Sequence, residues 1–240
     1  MVDTLNKIIA FYNEYGNHTL VQRLEYEFLQ HKDLQDIRGY FEEHYGFAQN
    51  SWLPYWQAIF RSCNIENFLD VGVNSGQFSL LSKYLGKKFN KGVNVWSISP
   101  FTGVGDKYST YEEKDYLKVF EFACDHFGMS IKDFNIIKGL SQDQEVKNQV
   151  KSVGYDLIYL DGSHDYEIVK QDIQYYVFEL LKSGGIVIFD DCNSYIPFGG
   201  TLAHKQGYPD VERAVSELMD DNDEYELLFK ITHNKIFRRK

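Results

Sequence analysis

Phe68-Leu-Asp-Val-Gly-Val-Asn-Ser-Gly76 joins a short apolar run to a turn holding two glycines, and Phe78 to Leu85 continues at helical spacing. A strand, a glycine turn and a helix in that order open a parallel α/β sheet. The glycines let the backbone turn approach a nucleotide-like ligand closely, and the helix N-terminus beyond it offers free N–H groups. The turn is not the dinucleotide fingerprint GxGxxG, because Asn74 stands at the second glycine and Gln77 at the third. Turn geometry alone also accounts for glycine in many strand-to-helix connections, so this stretch fixes the fold sooner than the ligand.

Downstream, the same alternation repeats. Val93 to Ile98, Phe134 to Ile137, Tyr155 to Leu160 and Ile186 to Phe189 read as strands. The helices Tyr116 to Phe127 and Tyr166 to Leu181 lie between them, the second stopped by Lys182-Ser-Gly-Gly185. Tyr225 to Lys230 and Lys235 to Arg238 flank Thr232-His-Asn234, too close for a helical crossover, so they form an antiparallel hairpin. The fold class is therefore a doubly wound, mostly parallel α/β sheet, Rossmann-like, ending in an antiparallel hairpin. Pro100 to Tyr111 and Cys192 to Pro209 are long irregular stretches after strand ends, where open α/β sheets bind ligands.

Upstream, Leu5, Ile8, Ile9 and Tyr12 recur at helical spacing, as do Leu20, Leu24, Tyr26 and Phe28 more loosely, with breaks at Gly39-Tyr-Phe41 and Asn50-Ser51. Residues 1–62 are expected to be a helical extension, a cap or a homodimer contact, ahead of the main domain at 63–240. The net charge of −10 and the lack of a basic stripe argue against nucleic acid. Cys63, Cys124 and Cys192 show no CxxC spacing and make an odd set, which suits a reduced cytoplasm. No apolar run suggests a signal peptide or a membrane span, so a cytoplasmic location is expected.

Two further stretches carry chemistry. Asp161-Gly-Ser-His164 follows one strand and Asp190-Asp191 follows another. If these strands are neighbours, their ends lie about 5 Å apart, and three carboxylates can share one hard cation, Mg²⁺ or Mn²⁺. The alternative is that each aspartate merely caps the next turn. His164, at the mouth of that group, and His204, in the second long loop, are the two histidines placed to act on a substrate proton. His18, His31, His44, His126 and His233 carry no role on this basis.

In order, these pieces resemble class I methyltransferases dependent on S-adenosylmethionine (SAM), with the closest likeness to the macrocin-type sugar O-methyltransferases. The glycine stretch, Ser99-Pro-Phe-Thr-Gly103, Lys138-Gly-Leu-Ser141, Asp161-Gly-Ser-His-Asp-Tyr-Glu167, Gly184-Gly-Ile-Val-Ile-Phe-Asp-Asp191 and Tyr208-Pro-Asp-Val-Glu-Arg-Ala-Val215 carry the likeness. The resemblance implies SAM as cofactor, held by Asp70, Gly72, Asn74, Ser75 and Gly76, with Ser99 beside the ribose and Ser141 on the adenine side. It implies Asp161, Asp190 and Asp191 as ligands of Mg²⁺ or Mn²⁺, and a small-molecule hydroxyl, preferably of a sugar or nucleotide-sugar, as methyl acceptor. The sequence departs from the family at two places. Ser99 stands where an acidic residue grips the ribose, and Ser163 where a second aspartate serves as base, which throws the base role onto His164 with Asp161 as its catalytic neighbour. A metal-free methyltransferase and a non-catalytic nucleotide-binding module are the competing expectations; the latter has no reason to gather three aspartates.

Overall fold

The computed structural model describes residues 4–89, 92–193 and 207–240. Three helices come first: α1 (Leu5–Phe28), kinked at Gly16, α2 (Lys32–Glu43) and α3 (Trp52–Ser62). The alternating part follows as β1 (Asn67–Val71), α4 (Gln77–Lys88), β2 (Asn94–Ser99), α5 (Tyr116–His126), β3 (Asn135–Lys138), α6 (Gln144–Val150), β4 (Tyr155–Leu160), α7 (Tyr166–Asp172) and β5 (Leu181–Phe189). The chain closes with α8 (Pro209–Val215), β6 (Tyr225–Ile231) and β7 (Asn234–Arg239).

The seven strands form one sheet in the order β3-β2-β1-β4-β5-β7-β6. Five are parallel, and β7 pairs antiparallel with both β5 and β6. This is the mostly parallel sheet with an antiparallel end that the sequence predicts. Strand order reverses between β1 and β4, so the carboxyl ends of those strands flank the crevice where such sheets bind ligands. Both faces are covered. Phe68, Leu157, Tyr159, Ile186 and Ile188 point into a core shared with α1 to α5, while Leu69, Ile158, Leu160, Val187 and Phe189 point into the opposite core with α6 to α8. Alternate residues of one strand go to opposite cores because the side-chain period of a strand is two. A strand buried on both faces reads as a continuous apolar run for the same reason.

Three local expectations are corrected. Gly39 does not break a helix but lies within α2, whose Leu34, Ile37 and Phe41 form one buried face; the packing of that face outweighs the glycine penalty of about 1 kcal/mol. The helix from Tyr166 is α-helical only to Asp172 and widens into a π turn over Ile173–Val177. The Lys182–Gly185 stretch, expected as a stop, already belongs to β5, with Gly184 at φ +78° and a register shift opposite Tyr155–Leu157. A short crossover helix, α6, also stands where no helix was expected. Among the described residues no helix is long and apolar enough to cross a membrane.

Candidate active site

The glycine turn sits over the end of β4. Gly72 has φ +97°, and a Cβ there would meet the Asp161 carbonyl oxygen at 1.9 Å, so any side chain would push the two strand ends apart. Asp70, at the end of β1, is buried beneath the turn and accepts from Ser79 Oγ at 2.6 Å; burial pushes its carboxyl up to about 7. Ser75 Oγ donates to the Tyr45 carbonyl, and Gly76, at φ +87°, caps α4.

A cavity of about 560 Å³ opens above the strand ends. Gly72, Asn74, Ser99 and Ser141 line it, together with Asp161, His164, Asp190 and Asp191. Asp70, Ser75 and Gly76 do not; they line a smaller recess behind it, where they shape the turn. Asn74 Oδ1 is buried and accepts no hydrogen bond from a described residue. Ser99 Oγ accepts from Phe101 N at 3.1 Å, closing the turn after β2. Ser141 Oγ donates to Asp172 Oδ2 at 2.8 Å, and its carbonyl accepts from Tyr176.

The carboxylates converge because β4 and β5 are neighbours, with Leu160 opposite Phe189. Asp161 and Asp190 are therefore side by side at the sheet edge. Burial, then the charges of Asp190 and Asp191, raise the Asp161 carboxyl well above its usual range. Burial also pushes Asp190 up, but the charge and hydrogen bond of His233, with the Tyr159 hydroxyl, outweigh it and leave Asp190 lowered. Of the two carboxyls, Asp161 is therefore the one that holds a proton more readily. Tyr159 donates to Asp190 Oδ2 at 2.7 Å, and the Asp191 amide to Asp190 Oδ1 at 2.8 Å.

Among the described residues, the three ligand-type side chains that each offer one atom within 4.8 Å of the other two are Asp190, Asp191 and His233, rather than the expected trio with Asp161. His233 Nε2 lies 3.1 Å from Asp190 Oδ1 and 3.5 Å from Asp191 Oδ1. His233 reaches them because β7 runs antiparallel to β5: with Phe189 opposite Lys235, the turn before β7 lies just past the end of β5. That turn is tied down. Trp52 Nε1 donates to Thr232 Oγ1 at 2.9 Å, Asn193 Nδ2 to the Thr232 carbonyl at 2.9 Å, and Asn234 Nδ2 to the Tyr55 hydroxyl at 3.1 Å. Thr232 (φ +50°) and Asp191 (φ +52°) are both left-handed. Such conformations cost roughly 1–3 kcal/mol each and persist only where surrounding contacts impose them.

His164 is held from both sides. Its Nδ1 lies 2.8 Å from Asp106 Oδ2 and its Nε2 3.2 Å from Asp191 Oδ2, while the Asp106 carboxylate also takes the His164 amide at 2.7 Å. Burial lowers the imidazole pKa, but the Asp191 and Asp106 contacts outweigh it, so the ring is pushed toward its charged form. A ring with a carboxylate at each nitrogen has no lone pair left for a substrate, which a base needs. The first long loop is clasped over the site through Asp106, through Lys107 to Asp210 and Asp165, and through the Tyr108–Tyr208 ring contact. His204 and most of the second long loop lie outside the described residues; on either side of them, Gly207 N donates to the Asn193 carbonyl at 3.3 Å.

Residues 69–192, just over half of the chain, match a family model described as a methyltransferase domain. The chain belongs to this methyltransferase family. No curated protein matches the sequence. Among solved structures, a protein assigned as a caffeoyl-CoA O-methyltransferase from Staphylococcus aureus is 17% identical with a TM-score of 0.66, and the match covers 93% of this chain and 100% of that one. An O-methyltransferase from Bacillus cereus in complex with SAH is 14% identical with a TM-score of 0.55, covering 91% of each chain. The O-methyltransferase TomG from Streptomyces achromogenes, in complex with SAM, is 10% identical with a TM-score of 0.54, covering 88% of this chain and 90% of that one. At these identities the likeness is one of fold.

Three residues of this methyltransferase's site escaped the sequence reading. His233 sits in a hairpin turn far along the chain from the aspartates; the signal was available only by pairing β7 with β5 and asking which end of the sheet its turn reaches. Asp106 is one acidic residue in a loop of no regular pattern. Trp52, which lines the cavity and meets the His233 ring edge-on at 4.9 Å, lies in the helical extension to which no chemistry was assigned.

Proposed function

We propose that this methyltransferase takes SAM as methyl donor and, assisted by a divalent cation, methylates a hydroxyl of a small molecule, with a sugar or nucleotide-sugar as the preferred acceptor. The observation that carries the proposal is the shared cavity: one space of about 560 Å³ runs from the glycine turn to the Asp161, Asp190, Asp191 and His233 edge. The O-methyltransferases of similar fold, two of them in complex with SAM or SAH, support the choice of donor and of oxygen as acceptor.

The residues present fit both groups. Asn74 Oδ1 is a buried acceptor without a donor among the described residues, suited to the ammonium of the methionine moiety, and the bare Gly72 backbone leaves room beside it. SAM supplies an electrophilic methyl group. The buried Asp191 Oδ1, which accepts no hydrogen bond from a described residue, and the mixed oxygen and nitrogen donors around it fit a divalent cation, held by Asp190 and Asp191 with Asp161 beside them. A cation there supplies Lewis acidity that lowers the pKa of an acceptor hydroxyl.

The chain's own residues do the rest. Trp52, Tyr108, Tyr111 and Tyr208 present rings on the cavity wall, surfaces against which a sugar or a phenol packs. The Asp106 clasp holds the first loop down, excludes water and fixes the acceptor relative to the glycine turn, where positioning supplies most of the rate. His164 is a positioning residue in this reading: it orients the Asp191 carboxylate through Nε2 and ties it to the loop through Asp106.

Calorimetry with SAM and with NAD, followed by mass-spectrometric detection of methyl transfer to a panel of nucleotide-sugars and catechols, tests the proposal. SAM should bind and NAD should not, and excess EDTA should remove turnover that Mn²⁺ or Mg²⁺ restores. Failure to bind SAM would overturn the assignment, and full turnover in excess chelator would remove its metal half.

A further inference from the structure

We propose that His233 is a direct protein ligand of the metal, so that the site takes a borderline transition ion such as Fe²⁺ or Co²⁺ in preference to Mg²⁺. The inference rests on the metal half of the reading above and adds a nitrogen donor from an element that neither the family match, which ends at residue 192, nor the aspartate motifs include.

Four observations carry it. First, the Nε2 atom of His233 lies 3.1 Å from Asp190 Oδ1 and 3.5 Å from Asp191 Oδ1. Neighbouring ligands of an octahedral ion with bonds of about 2.1 Å stand about 3 Å apart, so Nε2 stands from each of the two oxygens at close to the spacing of adjacent ligands around one ion. Second, Asp191 Oδ1 is buried and accepts no hydrogen bond from a described residue, an acceptor prepared for something positive. Third, the ring does not arrive by chance. Thr232 is held left-handed by hydrogen bonds that include the Trp52 indole and the Asn193 amide, and the Trp52 ring meets the imidazole edge-on. Fourth, His164 faces the other oxygen of Asp191, Oδ2, and is tied back to the first loop through Asp106 at its second nitrogen, whereas His233 faces the Oδ1 atoms of both Asp190 and Asp191.

Imidazole suits Fe²⁺, Co²⁺ and Zn²⁺, whereas Mg²⁺ favours oxygen alone; Mn²⁺ accepts either and serves as a paramagnetic probe.

Pulsed electron paramagnetic resonance of the Mn²⁺-loaded, full-length protein reads the bond directly. Wild-type protein should show nitrogen hyperfine coupling that changes on ¹⁵N-histidine labelling, persists in His164→Gln and disappears in His233→Gln. Calorimetry should show that His233→Gln weakens Co²⁺ at least tenfold more than it weakens Mg²⁺, with cooperative melting retained. His233→Asn is the second variant should the first not fold, and the wild-type labelling stands without either. Mn²⁺ bound with no histidine coupling, or an equal loss for Co²⁺ and Mg²⁺, would overturn the His233 assignment while leaving a metal site. No metal binding at all would overturn it together with the metal half of the proposed function.

Discussion

At the scale of single residues, the site edge is crowded with buried acids, and Asp172 shows what that costs. It is almost wholly buried on α7, accepts from Ser141 Oγ at 2.8 Å, and has a second oxygen that accepts nothing from a described residue. Burial pushes its carboxyl from 3.8 up to about 7, against the smaller opposing pull of Ser141 and Lys147. A carboxyl whose folded pKa is raised binds its proton more tightly in the native state. Its contribution to stability is complete below 3.8 and is lost as pH rises toward 7. At 1.36 kcal/mol per unit the span is roughly 4 kcal/mol. Asp172→Asn keeps the shape and the acceptor for Ser141 but cannot ionise. Urea unfolding at pH 4 and pH 8 should find the variant close to wild type at the lower pH and more stable at the higher one, by a large part of that amount. The same difference at both pH values would mean that Asp172 does not titrate in this range. Asp70, also at about 7, behaves with the same sign and is present in both proteins, so the comparison isolates Asp172.

At the scale of elements, the β6–β7 turn matters because of what holds it. Trp52 belongs to α3, far from the turn in sequence, yet its indole N–H is bonded to Thr232 and its ring packs on His233. Trp52→Phe keeps a ring on the turn but removes the donor. It should leave the fold intact and weaken Mn²⁺ binding by about 10- to 100-fold, the usual loss when a group that orients a ligand is removed; calorimetry measures it, and unchanged affinity would show that the other tethers suffice. The same turn shows where sequence reading stops. The strand-turn-helix at Phe68–Leu85, the aspartates after β4 and β5 and the hairpin itself were legible, because each is a local pattern with a local physical cause. His233 was not, because its meaning depends on β7 pairing with β5, a contact between strands that no local periodicity encodes. Gly39 misled for the opposite reason: its local propensity was real, but the burial of Leu34, Ile37 and Phe41 overrode it. His164 lies beside Asp191, yet Asp106, which occupies its second nitrogen, comes from a loop whose path the sequence does not reveal.

At the scale of the whole molecule, the helical front end is a layer of the enzyme. Leu5, Ile8, Leu20, Leu24, Leu53, Trp56 and Ile59 are essentially fully buried in the same core as Phe68, Tyr159, Ile188 and Phe229 of the sheet. Trp56 packs edge-on against Phe68 at 5.9 Å and Tyr159 at 5.2 Å, while its indole N–H donates to Ser82 on α4. Removing residues 1–62 would therefore strip one face of the sheet of its cover. Each large apolar side chain exposed costs about 1.5–3 kcal/mol, and the sheet side of this core includes Phe68, Phe78, Leu80, Leu157, Ile186, Ile188, Phe229 and Ile231. A few of these losses equal the roughly 5–15 kcal/mol that holds a typical domain together. A protein beginning at residue 63 is thus expected to lack a cooperative thermal transition and to bind a hydrophobic dye, even though it retains Asp161, Asp190, Asp191, His164 and His233. Circular dichroism melting with dye fluorescence checks this. A sharp transition in that fragment, together with Mn²⁺ binding like that of the full chain, would show that residues 63–240 fold alone. It would also show that the Trp52 and Tyr55 tethers are dispensable to the metal site.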